Sequence, residues 1–196
     1  AAAYIDDTAR LSYPRGFVVN ANPEASLLRW PEAAEAIRLL GIEYQLLRRE
    51  FVGVPERATR ERIERVLVVS GGTDAAGARQ ALAAAVCAAI RDAEIDVVDA
   101  PLSAAALRDA MLASDVAVSA AGQTLYELAA TGTSTVAVVV ADNQLAQARA
   151  FERAGAVLLA GEWGESGTIE AVTGAVVALA DPERREAHSA AARALV

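Results

Sequence analysis

Along most of this chain short apolar runs alternate with stretches of helical spacing. Val66-Leu67-Val68-Val69 is a β-branched run that stops at Ser70-Gly71-Gly72-Thr73. Ile95 to Val98, Val116-Ala117-Val118-Ser119, Thr135 to Val140 and Val157-Leu158-Leu159 repeat the pattern, with the run at Thr135 to Val140 the strongest. Between them the spacing predicts helices over 78–91, 102–113, 124–131 and 144–153, and two more, over 168–180 and 182–195, finish the chain. Gly132 and Gly155 stand where helix ends need a residue free to turn left-handed. Pro182 opens the last helix, where its missing N–H costs nothing. Strands alternating with helices imply βαβ units, so the expected class is α/β: a Rossmann-like parallel sheet with helices on both faces.

The first 55 residues are less regular. Phe17-Val18-Val19 is a strand candidate, and Ala1-Ala2-Ala3-Tyr4-Ile5-Asp6-Asp7 reads as the end of a strand already under way, which suggests material upstream. The spacing over 31–40 predicts a helix capped by Gly41. A polar, Arg-rich stretch over 55–65 reads as a linker or a first helix. The expected organisation is a remnant of a preceding domain over 1–55, a Rossmann-like domain over 56–180 and a terminal helix over 181–196.

Composition narrows the chemistry. The net charge is -8, against the basic face that a duplex-binding protein needs. All 18 cationic residues are Arg. Without lysine there is neither a P-loop cation nor a Schiff-base amine. The one cysteine, Cys87, has no disulfide partner, fits a reducing cytoplasm, and reads as a small buried hydrophobe in an Ala-rich helix. His188, the single histidine, lies in a charged terminal helix and reads as a surface group, so no Ser–His–Asp triad is expected. No metal-ligand cluster or cofactor motif is visible, no apolar run has membrane-spanning length, and no signal peptide opens the chain.

Ligands of parallel α/β sheets bind beyond the carboxyl ends of the strands, so the loops after Val69, Ser119 and Val140 should converge. Gly71 and Gly72 let backbone approach a phosphate at a helix start; equally, Thr73 or Asp74 can simply cap that helix. Gly122 repeats the close approach, and Glu127, one turn on, suits the vicinal diol of a ribose; Thr124-x-x-Glu127 also reads as a capping box. Asn143 and the amide of Gln144 suit sugar hydroxyls, while Asp142 or Asn143 can also cap a helix. Asp6-Asp7 can serve a metal or a base, or be solvated acids.

In this order and spacing, Ala121-Gly122-x-Thr124-x-x-Glu127 followed by Gly132 and Asp142-Asn143-Gln144 resembles the C-terminal half of GT-B enzymes that bind UDP-sugars. Val69-Ser70-Gly71-Gly72-Thr73-Asp74, Ile5-Asp6-Asp7, Tyr13-Pro14, Asn20-x-Asn22-Pro23 and Tyr44-x-Leu46-Leu47-Arg48-x-Glu50-Phe51 extend the resemblance to the PseG-like hydrolases and the related SpsG-like proteins. The resemblance implies hydrolysis of a UDP-linked diacetamido-trideoxy sugar in pseudaminic acid or surface polysaccharide synthesis. Gly71, Gly72, Thr73, Gly122, Gln123 and Thr124 would lie along the diphosphate, Glu127 would hold the ribose, and Asn143 and Gln144 would face the sugar. The family's Gly-rich, His-containing loop has no match, so the main base is expected in an absent N-terminal half, with Asp7 assisting. The family's extra strand between 91 and 95 has no room either. Two alternatives stand beside this reading: a GT-B glycosyltransferase using a UDP-sugar donor, and a non-catalytic sugar-nucleotide-binding domain.

Overall fold

A computed structural model describes residues 2–9, 11–32, 35–70 and 77–196. The chain forms two compact units, Ala1–Leu46 with Val196, and Leu47–Leu195.

In the smaller unit, strands β1 (Ala3–Ile5), β2 (Gly16–Asn20) and β3 (Ala36–Leu40) form a parallel sheet in that order. β3 replaces the helix expected over 31–40. Its residues pair with the whole of β2, from Gly16 opposite Ala36 to Asn20 opposite Leu40, and a ladder of that length overrides a weak local preference. Arg38 adds to the extended form by donating to the Pro31 carbonyl at 2.7 Å and lying over the Trp30 ring. Gly41, at φ 124° and ψ 169°, follows a strand and opens the 3₁₀ turn Ile42–Tyr44, so it does not close a helix.

The larger unit follows the predicted alternation: β4 (Arg65–Val69), α1 (Ala78–Ala89), β5 (Glu94–Val97), α2 (Ala104–Ala113), β6 (Val116–Ala120), α3 (Thr124–Thr131), β7 (Ser134–Val139), α4 (Leu145–Arg153), β8 (Val157–Glu162), α5 (Thr168–Ala178) and α6 (Pro182–Arg193). All neighbouring strands are parallel, in the order β5-β4-β6-β7-β8. Alternate residues of each strand serve opposite faces. Val66, Val68, Val116, Val118, Val136 and Val138 pack with Leu82 and Val86 of α1 and Val172 and Val176 of α5. On the other face lie α3 and α6, and the Tyr126 ring of α3 meets Phe151 of α4 edge-on at 5.1 Å.

Residues 55–64 carry no helix or strand, yet they are tied down. Asp115, 3% exposed, accepts from Arg60 Nη1 at 2.8 Å and from the backbone N–H of Glu64 and Arg65. Arg57 donates to the carbonyls of Met111 and Ser114. Two expectations about single residues are corrected. Cys87 is exposed, because it falls on the outward side of α1 while Ala78, Leu82 and Val86 face the core. His188 is buried, as is its neighbour Arg185 at 2% exposure, because α6 packs that side against α3 and β7.

Candidate functional site

The sheet order reverses direction between β4 and β6. The chain leaves β4 toward β5 on one side and returns to β6 on the other, so the crevice at their carboxyl ends is the natural ligand site of this topology. A cleft of about 280 Å³ occupies that position. Its walls include Val69 at the end of β4, the loop Val98–Leu102 after β5, Leu107 of α2, and Thr124 and Glu127 of α3. Two cations, Arg48 and Arg79, complete it.

Glu127 is 5% exposed and sits in the first turn of α3, where the helix dipole favours a negative charge. The capping box is not formed: Gln123 is the N-cap, it makes no side-chain cap bond, and Thr124 is already helical. Glu127 Oε1 instead accepts from Arg48 Nε at 2.7 Å. That bond, foremost among several causes, holds the Arg48 guanidinium above its usual pKa in spite of partial burial. Arg48 precedes a single 3₁₀ turn, Arg49–Phe51, and lies over the buried Phe51 ring at 5.2 Å. Arg79, in the first turn of α1, donates from Nε to Ser70 Oγ at 3.0 Å.

The loops after β6 and β7 also meet. Gln144 Oε1 accepts from the backbone N–H of Val140 at 3.0 Å, and Gln147 Nε2 donates to the carbonyls of Ala121 at 3.1 Å and Gly122 at 2.8 Å. A Cβ added to Gly122 would come 3.4 Å from Gln144 Nε2. Gln123 and Asn143 are exposed beside these contacts. Neither Asp142 nor Asn143 caps a helix: Ala141 and Gln144 occupy the N-cap positions, without side-chain bonds. Gln144 therefore stands next to Gly122, and neither Asn143 nor Gln144 is among the residues that wall the Glu127 cleft. Gly71, Gly72 and Thr73 lie outside the described residues.

Asp7 belongs to the smaller unit and is exposed. Its neighbour Asp6 is the buried acid. Burial pushes the Asp6 carboxyl up, but hydrogen bonds from Thr8, Tyr13 and the Ala9 backbone outweigh it and leave it below the ordinary range. Thr8 N and Oγ1 each donate to Asp6 Oδ1 at 2.8 Å, the arrangement of a turn-forming aspartate. Among the described residues no group of three or more His, Cys, Asp or Glu is placed to hold a metal ion, and no helix is long and apolar enough to cross a membrane.

Arg79, Gln147 and the loop 98–102 do not stand out in the sequence, and Arg48 appears there only within a longer motif. Gln147 carried a faint signal, one helical turn beyond the Asp142-Asn143-Gln144 motif. Arg79 carried one as the first cation after the Gly-rich loop.

No family model matches the chain, and no curated protein matches it. Solved structures do. The chain is similar to spinosyn rhamnosyltransferase SpnG (TM-score 0.58, 16% identity, 91% of this chain and 51% of that one). It is similar to the glycosyltransferase of kitacinnamycin (0.58, 20%, 91% and 50%). It is also similar to spinosyn forosaminyltransferase SpnP (0.54, 16%, 91% and 49%). SpnG has also been solved with thymidine diphosphate. The chain thus spans about half the length of these proteins and has the fold of the C-terminal half of a GT-B glycosyltransferase. At 16–20% identity these structures establish the fold alone; the three named proteins are glycosyltransferases, and they lend the PseG-like or SpsG-like hydrolase resemblance no support.

Proposed function

We propose that this chain is the donor-binding half of a GT-B glycosyltransferase that uses a nucleotide sugar. The observation that carries the reading is Glu127: a buried carboxylate in the wall of an open cleft, at the switch point of a sheet whose structural neighbours are glycosyltransferases. A carboxylate accepts two hydrogen bonds readily, which suits a ribose diol. The Gly71-Gly72-Thr73 loop, Gly122, Gln123 and the N–H groups opening α3 would face the diphosphate, with Arg48 and Arg79 supplying positive charge to a chain of net charge -8. Asn143 and Gln144 would stand toward the sugar. In the reaction an acceptor hydroxyl gives up its proton to a general base and attacks the anomeric carbon, the bond from that carbon to the diphosphate oxygen breaks, and the nucleoside diphosphate leaves. Helix N-termini stabilise its developing charge.

Hydrolysis is the second reading, supported by the Leu47-Arg48-x-Glu50-Phe51 and Asp142-Asn143-Gln144 motifs; water then replaces the acceptor, and Asp7 is the residue of this chain offered to assist.

Calorimetry with UDP and thymidine diphosphate, and AMP as control, tests the shared step. Selective binding of a pyrimidine diphosphate, weakened by about 1–3 kcal/mol in Glu127→Ala, is the expected result. Indifference to Glu127→Ala, or equal binding of AMP, would sink the assignment. Nucleotide release with and without an acceptor then separates transfer from hydrolysis.

A further inference from the structure

The cleft holds an arginine that is committed before any ligand arrives. Arg48 donates from Nε to Glu127 Oε1 at 2.7 Å, and its guanidinium lies over Phe51, which is 1% exposed. The Arg48 side chain itself is 43% exposed, against 7% for that of Glu127. An exposed cation therefore reaches into the cleft to meet a buried anion. Stability gives little reason for such a pair, because taking Glu127 out of water and ordering two long side chains offset the attraction. Here the immobilised partner is the residue read as the ribose acceptor.

We propose that Arg48 is the positioning residue that makes Glu127 selective for a nucleotide with ribose hydroxyls; this rests on the nucleotide-sugar reading of the cleft. A free glutamate must give up rotamer freedom when it grips a diol. With Arg48 bound to Oε1 that ordering is done in advance, and the carboxylate, which has about four lone-pair positions, keeps the others for the ligand. Arginine suits the task because its guanidinium lies over the Phe51 ring while Nε donates to Glu127. Lysine, a point charge on a flexible stem, fixes the carboxylate less firmly.

The test uses the whole chain and two probes, UDP and 2′,3′-dideoxyuridine diphosphate, which differ only in the hydroxyls that Glu127 would hold. Wild type is expected to prefer UDP by about tenfold, the scale of one charge-assisted hydrogen bond. Arg48→Met, with a thermal melt to show that it folds, is expected to weaken UDP more than the dideoxy probe, so that the preference for UDP falls to about twofold or less. Arg48→Lys should recover part of the preference, and it serves as the working variant should Arg48→Met fold poorly. Equal losses for both probes would mean that Arg48 only shapes the cleft, and would overturn the role. So would an unchanged preference, or a wild type that binds both probes alike. A wild type that binds neither overturns the nucleotide reading itself, a different and separately visible outcome.

Discussion

Gly122 is a residue whose reason for being glycine can be measured. Its φ is not positive, and a Cβ there would meet only the Gln144 amide, at 3.4 Å. The fold does not demand glycine, so Gly122→Ala should leave stability unchanged or raise it by about 0.5 kcal/mol. If the backbone at 122 faces a diphosphate, the same change should weaken UDP binding at least tenfold, about 1.4 kcal/mol. Gly132 is the contrasting case: at φ 65° its added Cβ would lie 2.6 Å from Ser189 Oγ, and Gly132→Ala should cost about 1–2 kcal/mol in denaturant unfolding. His188 has a pH signature. Burial first, and the Arg184 charge second, hold its pKa below the usual histidine range. The folded state therefore binds its proton less readily than the unfolded chain does. Stability from this group is complete above about pH 6.5 and declines as pH falls below that value. Unfolding followed from about pH 7 to about pH 5 should show a slope that His188→Gln flattens.

At the scale of elements, the terminal helix is held by charged groups that helical spacing hides. Arg185 of α6 donates to the Leu179 carbonyl at 2.6 Å, the Ala180 carbonyl at 2.9 Å and the Arg60 carbonyl. Ser134 of β7 returns a bond to the Arg185 carbonyl, and Arg193 reaches the carbonyls of Val54 at 2.8 Å and Ala130 at 3.0 Å. Two segments, the end of α5 and the stretch before β4, thus converge on one buried guanidinium. Arg185→Met should cost about 3–5 kcal/mol in chemical denaturation, since the orphaned carbonyls lose both protein and water partners. A cost below about 1 kcal/mol would show that α6 is held by its apolar contacts alone.

The whole molecule combines a net charge of -8 with a cleft lined by Arg48 and Arg79. Such a body should repel a polyanion while accepting one small anion locally. Duplex DNA is therefore expected to show no retardation in a gel at about 0.1 M salt; retardation that falls steeply with added salt would refute this.

Much of the larger unit was legible in the sequence, because its signals are local. The β-branched runs became β4, β6 and β7, and the helix over 124–131 and the turns at Gly132 and Gly155 stand where the spacing put them. Backbone pairing and helical periodicity depend on neighbours a few residues away, and a single chain displays those directly. The approach of Gly122 to Gln144 was foreshadowed by the rule that loops beyond parallel strands converge. What the chain could not display were partners distant along it. Whether 36–40 became helix or strand depended on β2, and whether Arg185 and His188 were buried depended on where α6 docked. Arg48 and Glu127 stand 79 residues apart, and only the packing of the turn at 49–51 against α3 brings guanidinium and carboxylate together.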